Sequence, residues 1–385
     1  MANRIPEDEA TRARRAAERA KLSGSPPHTP DPSPTLKEGK RRPRPLVTIR
    51  SQALTRHRGL ATWGERLVPL GEFRRAVDAA GQRSSDGERE AAVAGYLAVC
   101  GDGVLVEGPY AKIAVFGGVY SNYLALAALL EEAARRGAEA VYCLGDLGGF
   151  GPNPEKVRPL LAAGGVRVLQ GNYEESLAAG RDDCNCSYTD PQDNHFARLS
   201  YRYTAAGCSP EFKAWMGTLP RRRRVRVGGR ELLLVHGSPR RINEFLFRST
   251  SPVAFLEVLL DQERADGLLC THTGLHWHRR LPSGRDAVNV GVIGRPANDG
   301  EPGVWWALIE AREGEAGRTG AGDGSGRNGG GLAVELLPLA YDHRELAAEM
   351  RRERLPEEFV ETTLTGWWTT CLEILPPKER AASRF

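Results

Sequence analysis

The sequence predicts an α/β fold, because short apolar runs alternate with segments of helical periodicity from residue 112 onward. IAVFG is a short apolar run before a second glycine, which is typical of a buried parallel strand. NYLALAALLEEAARRG follows with apolar residues at helical spacing and a final glycine that suits a helix C-terminus. AVYCLG, PEKVRPLLAAGG and VRVLQG repeat the pattern as strand, helix and strand. This β-α-β-α-β order predicts a parallel sheet with right-handed crossovers.

The same alternation continues after the third strand. The chain has a helical pattern through about Leu219, and ELLLVHG is predicted as the next strand. Ser251 and Pro252 then begin the helix VAFLEVLLDQERA. DGLLC, DAVNVGVIG, VWWALIE and LAVELLPL are predicted as further strands. The last part of the chain is mainly helical in pattern, with Trp367 and Trp368 expected to cover an apolar edge of the sheet.

The composition changes along the chain and predicts four segments. Residues 1–60 are rich in Arg, Pro and Ser and poor in large apolar side chains, so we expect a disordered basic leader. Residues 61–110 are predicted as an accessory helical segment. Residues 111–366 form the main domain, in which the glycine-rich residues 312–331 are predicted as a flexible insert. Residues 367–385 form a C-terminal tail.

Charge and cysteine content limit the possible partners and location. The net charge is +4, but residues 1–60 carry 14 Lys/Arg against 6 Asp/Glu, so the residues after Leu60 sum to −4. The main domain therefore gives no electrostatic case for nucleic acid, although the basic run at 40–44 could contact nucleic acid or anionic lipid. No apolar run approaches the roughly 18 residues of a membrane span, and no secretory signal is evident. Seven irregularly spaced cysteines indicate a reducing compartment, and we expect the cytoplasm.

Polar residues follow the predicted strands in five blocks: KIAVFGGVYSN, VYCLGDLGGFGPNP, QGNYEES, LLLVHGSPR and CTHTGLHWHR. Open α/β sheets place their ligand sites at such strand ends. The blocks contain one carboxylate at Asp146, one amide at Asn172, and two imidazoles at His236 and His272. Taken singly, an aspartate here is most often a turn or helix-cap residue, and a histidine at a strand end is most often a satisfied polar group. Together the four side chains make a plausible shell for one metal ion, with room for water or substrate.

The order and spacing of these blocks resemble the calcineurin-like metallophosphoesterases, whose blocks run DxH, GDxxxxG, GNH[DE], H and GHxH. NVGVIGRPANDG also resembles the closing NPGSxGxPRDG block, and the resemblance covers about residues 112–364. It implies a β-sandwich of mixed sheets flanked by helices, and hydrolysis of a phosphorus ester at two adjacent metals. It further implies that Asp146, Asn172, His236 and His272 bind the second of those metals.

The sequence departs from this family at the first metal. The DxH block reads GVY at 118–120, and the GHxH block reads THTG at 271–274. Gly118, Tyr120 and Gly274 therefore stand where the resemblance implies the ligands of the first metal alone. We accordingly predict one divalent transition metal, Mn, Fe or Zn, instead of two.

The resemblance also implies candidate catalytic residues. Tyr173 stands where the family has a histidine that assists the leaving oxygen, and Glu174 occupies the family's acidic position. A phenol can donate a hydrogen bond or a proton, although Tyr173 could equally be a packed aromatic with a satisfied hydroxyl. Tyr120 is expected to fill part of the vacant volume and to offer its hydroxyl to the substrate. His276 and His278 would lie on one face of a strand, and His278 is included as a candidate that contacts the substrate or a metal ligand.

Three functions remain open at this point. The first is a metal-dependent phosphoesterase-like hydrolase that acts on a small phosphorylated substrate with one metal ion. The second is a non-catalytic binding protein with the same fold, and the third is another one-metal chemistry of the non-haem iron type. Retention of four ligands argues against a scaffold, and loss of the first-metal ligands argues against an ordinary phosphatase. We prefer the first; the sequence does not indicate the oligomeric state.

Four cysteines suggest a competing zinc site, namely Cys184 and Cys186 in DDCNCSYTD together with Cys143 and Cys270. A CxC pair alone is a weak indication of zinc. Cys143 and Cys270 fall within apolar strands, where a free cysteine is a common core residue. We therefore expect no cysteine metal site.

Overall fold

The computed structural model describes residues 46–48, 67–69, 99–100, 104–186, 188–312 and 331–382. Most of the predicted leader and accessory helical segment, and nearly all of the glycine-rich insert, lie outside these residues. Within the predicted leader, strand β1 (Leu46–Thr48) pairs antiparallel with β2 (Leu67–Pro69), so residues 46–48 are a strand instead of a disordered stretch.

The remaining strands and the helices occur in the following order. The strands are β3 (Val99–Cys100), β4 (Val104–Tyr110), β5 (Lys112–Phe116), β6 (Ala140–Cys143), β7 (Arg167–Val168), β8 (Arg222–Val227), β9 (Arg230–Val235), β10 (Gly267–Cys270), β11 (His276–Arg280), β12 (Asp286–Val290), β13 (Val304–Ala311) and β14 (Leu332–Leu339). The helices are α1 (Tyr123–Arg135), α2 (Val157–Ala163), α3 (Asn172–Ala178), α4 (Pro191–Gly207), α5 (Pro210–Gly217), α6 (Val253–Glu263), α7 (His343–Arg352), α8 (Glu357–Thr365) and α9 (Pro377–Ala382).

The first sheet has the order β14-β13-β5-β6-β7. Strands β5, β6 and β7 are parallel, which confirms the predicted β-α-β-α-β unit. Strand β13 runs antiparallel to both β5 and β14, and Ala311 pairs with Leu332 at the end of the β13–β14 hairpin. The glycine-rich insert therefore connects two paired strands, as expected of a hairpin loop.

The second sheet has the order β11-β12-β10-β9-β8-β4-β3. Strands β9, β10 and β12 are parallel neighbours, whereas β8 runs antiparallel to β9 and β11 runs antiparallel to β12. Strand β4 pairs parallel with β8, so the described end of the predicted accessory helical segment is a strand of this sheet. That part of the helical prediction is wrong.

Strand β8 was not predicted, because its sequence RRRVRV is dominated by arginine. The structure shows how a strand tolerates these charges. Arg223 forms an ion pair with Glu107 on β4, and Arg224 forms ion pairs with Glu231 on β9 and with Glu263 at the end of α6. Cross-strand pairs of opposite charge stabilise a sheet, and this pairing is invisible in a local pattern.

The two sheets share one apolar layer. It includes side chains from β5, β6, β9, β10 and β12: Ile113, Val115, Tyr142, Leu232, Leu234, Leu269, Val288 and Val290. The opposite face of the first sheet packs against helices that include α1, and the opposite face of the second sheet packs against α6. The predicted sandwich of mixed sheets flanked by helices is therefore confirmed. No described helix combines the length and the apolar character that a bilayer span requires.

Candidate metal centre

The four predicted metal ligands lie just beyond strand ends in both sheets. Asp146 follows β6, and Asn172 is the first residue of α3 after β7. His236 directly follows β9, and His272 comes two residues after β10. Because β6 and β7 are parallel in one sheet and β9 and β10 in the other, their carboxyl ends bring four side chains to one place.

The ligand atoms converge on His236 Nε2. This nitrogen lies 3.3 Å from Asp146 Oδ2, 3.0 Å from Asn172 Oδ1 and 3.0 Å from His272 Nδ1. All four side chains are buried. The structure thus brings together the four residues that the sequence predicted as metal ligands.

The hydrogen bonds around the cluster show that its atoms face each other with lone pairs. His236 Nδ1 donates to the Leu144 carbonyl at 2.7 Å, so the neutral ring has its lone pair on Nε2. Asn172 Nδ2 donates to the Cys184 carbonyl at 2.8 Å, which turns the acceptor Oδ1 towards the cluster. Lone pairs about 3 Å apart need a cation or a shared proton between them. Carboxylate, amide and imidazole donors suit Zn²⁺, Mn²⁺ or Fe²⁺, so these residues fit one divalent ion.

The buried charges of the cluster act on each other. Burial favours the neutral forms of Asp146 and His236, but their mutual attraction lowers the pKa of Asp146 and raises the pKa of His236. Burial, together with the neighbouring His236, lowers the pKa of His272 to about 3. His272 is therefore neutral near pH 7 and keeps a lone pair for an ion.

Two of the ligands have an unusual backbone conformation. Asp146 has φ 59° and His272 has φ 72°, both in the left-handed region. This region costs a residue with a Cβ atom roughly 1–2 kcal/mol, and such residues cluster at functional sites. Glu174 stabilises the Asp146 loop, because its carboxylate accepts the backbone N–H groups of Asp146, Leu147 and Gly171 at 2.7–2.8 Å. Glu174, a predicted catalytic residue, therefore lies against the backbone of the Asp146 loop.

Tyr173 lines a small cavity beside the cluster. The cavity has a volume of about 60 Å³, and Asp146, His272 and Tyr120 also contribute to its wall. The Tyr173 hydroxyl lies 3.1 Å from Ser200 Oγ, which itself accepts the backbone N–H of Phe150 at 2.7 Å. Burial raises the pKa of Tyr173, so its phenol stays protonated at neutral pH. The Tyr173 ring is therefore packed in the interior, and its protonated hydroxyl can donate a hydrogen bond.

Aromatic rings lie against the two glycines at which the resemblance implies first-metal ligands. A Cβ atom on Gly118 would lie 2.6 Å from Tyr120 Cζ and 2.9 Å from Val292 Cγ1. A Cβ atom on Gly274 would lie 2.8 Å from Trp368 Cη2. The Tyr120 ring thus occupies the space next to Gly118. Trp368 packs against Gly274, just before the edge strand β11, and its indole Nε1 donates to the Pro296 carbonyl at 2.7 Å.

The structure does not bring the two neighbouring histidines to the cluster. His276 and His278 do lie on the same face of β11, but neither lines the cavity. The His276 ring stacks on Trp305 with 3.7 Å between ring centroids. His278, a predicted catalytic residue, has its Nε2 at 2.9 Å from Asp286 Oδ1 on the paired strand β12. This buried carboxylate holds His278 away from the metal centre.

The cysteines do not form a metal site within the described residues. Cys184 and Cys186 are joined by a disulfide bond, which the sequence analysis did not predict. Cys143 and Cys270 are free and buried, and neither belongs to the ligand cluster. The Cys184–Cys186 segment instead orients Asn172, whose Nδ2 contacts both the Cys184 carbonyl and Cys186 Sγ.

Sequence reasoning missed three residues of this region: Ser200, Arg295 and Trp368. Ser200 and Arg295 line the cavity, and Trp368 contacts Arg295. Ser200 lies in the interior of α4, and no motif marks it. Arg295 falls inside the NVGVIGRPANDG block, so the sequence places it near the site, but the block does not indicate a role for its charge.

The main domain of the chain is similar to known proteins. Residues 112–313, a little over half of the chain, match the family model of the calcineurin-like phosphoesterase superfamily domain. The chain is 26% identical over 271 residues to the uncharacterized protein MJ0912 of Methanocaldococcus jannaschii, which covers 66% of this chain and 98% of that protein.

Similar chains are also found among solved structures, one of them with a TM-score above 0.5. The hypothetical protein PH1004 from Pyrococcus horikoshii matches with a TM-score of 0.51 and 23% identity, over 67% of this chain and 99% of that one. A metallophosphoesterase from Sphaerobacter thermophilus matches with a TM-score of 0.48 and 22% identity, over 66% of this chain and 98% of that one. With the family model matching more than half of its residues, this chain belongs to the calcineurin-like phosphoesterase superfamily.

Proposed function

We propose that this protein is a phosphoesterase-like hydrolase that acts on a small phosphorylated substrate with one divalent metal ion. One observation supports the proposal: four candidate ligands converge at one site, whereas aromatic rings occupy the space beside it. Asp146, Asn172, His236 and His272 converge on one point. Beside them, the positions implied for a first metal meet the rings of Tyr120 and Trp368.

An ion bound by this cluster would polarise a phosphoryl oxygen and lower the pKa of a water molecule. The chain's own residues would then position the ester. Tyr173 and Tyr120 line the cavity, and burial raises the pKa of both phenols, so each hydroxyl can donate a hydrogen bond to an ester oxygen. The residues that line the cavity are mostly buried, so the local dielectric constant is low and such hydrogen bonds are stronger than in water.

The size of the cavity and the charge of the domain support a small substrate. One buried water needs roughly 10–15 Å³, so a cavity of about 60 Å³ holds a few waters or one phosphoryl group. The residues after Leu60 carry a net charge of −4, which argues against nucleic acid. We keep the cytoplasm as the proposed location, on the sequence argument alone.

The proposal is tested by the metal content of the purified full-length protein. Elemental analysis should give about one Mn, Fe or Zn ion per chain. His236→Ala should lose this ion, because the change removes the central ligand. His278→Ala is the matched control and should keep it, because His278 binds Asp286 outside the cluster. Two tightly bound ions per chain would contradict the one-metal assignment.

Hydrolysis distinguishes this proposal from a non-catalytic binding protein. The filling of the first-metal positions by Tyr120 and Trp368 favours that second candidate, since it removes one half of a two-metal centre. Aryl phosphate monoesters and diesters should be assayed with each metal in turn. Slow turnover that disappears in His236→Ala supports the hydrolase. A protein that holds one ion and shows no turnover on either ester class is a binding module.

A further inference from the structure

The cavity beside the metal centre contains one buried guanidinium, that of Arg295. Arg295 is 7% exposed and lines the cavity together with the metal ligands Asp146 and His272. Among the described residues that line this cavity, it is the single Lys or Arg. Long basic side chains are rarely buried unless they are paired, so the surroundings of Arg295 need an explanation.

The contacts of Arg295 hold the side chain in place without neutralising it. Its guanidinium carbon lies 3.7 Å from the centroid of the Trp368 ring and 5.3 Å from that of Phe150. Nη2 donates to the Thr370 carbonyl at 2.5 Å. Nε is buried and has no hydrogen-bond partner. A buried donor without a partner costs stability, so the unused N–H is typical of a site that receives a ligand.

No described carboxylate forms an ion pair with Arg295. The buried carboxylate on the nearest helix, Asp193 of α4, accepts the backbone N–H groups of Cys371 and Glu373 at 2.6 and 3.3 Å. Asp146 faces the ligand cluster, where its Oδ2 lies 3.3 Å from His236 Nε2. The Asp193 carboxylate is within electrostatic reach of Arg295, but neither it nor any other described carboxylate pairs directly with the guanidinium, which can therefore pair with an anion that enters the cavity.

Arg295 lies next to the aromatic residues that contact Gly118 and Gly274. Trp368 takes the space next to Gly274, and the Arg295 guanidinium stacks on the same Trp368 ring. Tyr120 takes the space next to Gly118 and lines the same cavity as Arg295. A fixed cation thus lines the same cavity as Asp146, beside the two rings that lie against Gly118 and Gly274.

We propose that Arg295 binds the terminal phosphoryl group of the substrate, as an organic cation in place of the first metal ion. The inference rests on the proposed function for the identity of the substrate, but not for the presence of an anion site. A planar guanidinium suits this role because its N–H groups match two phosphoryl oxygens at once. The cavity volume of about 60 Å³ admits one phosphoryl group, which favours the end of a phosphomonoester over an internal diester.

The test is calorimetric titration of inorganic phosphate and of phenyl phosphate into the full-length protein as purified, and again after chelation. Wild type should bind both ligands. Arg295→Met should weaken binding roughly ten- to hundredfold, which corresponds to the loss of a hydrogen bond to a charged group. Arg295→Lys should fall between them, because it keeps the charge and loses the planar fork.

Arg279→Met is the matched control. Arg279 also lies over a tryptophan, at 5.9 Å from the Trp277 centroid, and donates to two backbone carbonyls at 2.6 Å, but it does not line the cavity. This variant should bind phosphate like wild type. Circular dichroism and thermal unfolding show whether each variant is folded, and Arg295→Lys serves if Arg295→Met does not fold.

Two results would overturn the inference. One is a folded Arg295→Met or Arg295→Lys variant that binds phosphate as tightly as wild type. The other is a wild-type protein that binds inorganic phosphate and not phenyl phosphate, which would remove the ester as the ligand. A failure of the hydrolase proposal has a different signature, because wild type and Arg295→Met would still differ in phosphate binding while neither hydrolyses an ester.

Discussion

The contact between Gly274 and Trp368 allows a quantitative test of how the first-metal site is filled. In Gly274→Ala the new Cβ atom would lie 2.8 and 2.9 Å from two carbons of the Trp368 ring. Carbon atoms prefer about 3.5–4.0 Å, and overpacking of this kind costs about 1–3 kcal/mol. Gly274 also has φ 78°, a left-handed conformation that adds about 1–2 kcal/mol for alanine. We expect a total loss of about 2–5 kcal/mol in the free energy of unfolding.

A double-mutant cycle separates the two contributions. Trp368→Leu removes the ring and therefore the steric part, whereas the backbone part stays. Gly274→Ala should then cost about 1–3 kcal/mol less in the Trp368→Leu background than in wild type, as measured by equilibrium urea unfolding. Gly228→Ala is the control, because Gly228 has φ 55° and its Cβ would lie 2.8 Å from Ala311 Cβ, away from Trp368. Costs that add within about 0.5 kcal/mol for Gly274→Ala would refute the packing argument.

The remaining predictions concern metal content and stability. The triple variant Gly118→Asp, Tyr120→His, Gly274→His should bind no second ion, because Trp368 still blocks position 274. Adding Trp368→Leu to this variant should admit a second ion. Elemental analysis that finds a second ion in the triple variant alone would contradict the prediction. Glu174→Gln should lower the free energy of unfolding by about 1.5–3 kcal/mol, because one oxygen that accepts backbone N–H groups is lost. Substitutions of exposed surface residues are the control and should change this free energy by no more than about 0.5 kcal/mol. Deleting residues 1–45, which have few large apolar side chains, should leave the melting temperature unchanged; a large decrease would show that they stabilise the domain.

The sequence by itself determined the layered fold and the four polar side chains that converge at the strand ends. Strand and helix periodicity is a local property, so β5, α1, β6, α2 and β7 could be predicted from their own residues. Each ligand lies in a short block just past a strand, and the parallel order of the strands places those ends together. Loss of the first-metal ligands was also visible, because Gly118, Tyr120 and Gly274 carry no acidic or imidazole side chain.

Only the tertiary structure decided what replaced those ligands. Trp368 reaches Gly274 across 94 residues of sequence and Arg295 across 73, and contacts at such separations leave no periodic signal. The roles of Glu174 and His278 also depended on packing, since each side chain is held by groups on another loop or strand. Strand β8 was missed for the same reason, because its arginines are stabilised by carboxylates on β4, β9 and α6. Local pattern specifies which side chains reach the strand ends, whereas charge pairing and close packing between distant segments decide what surrounds them.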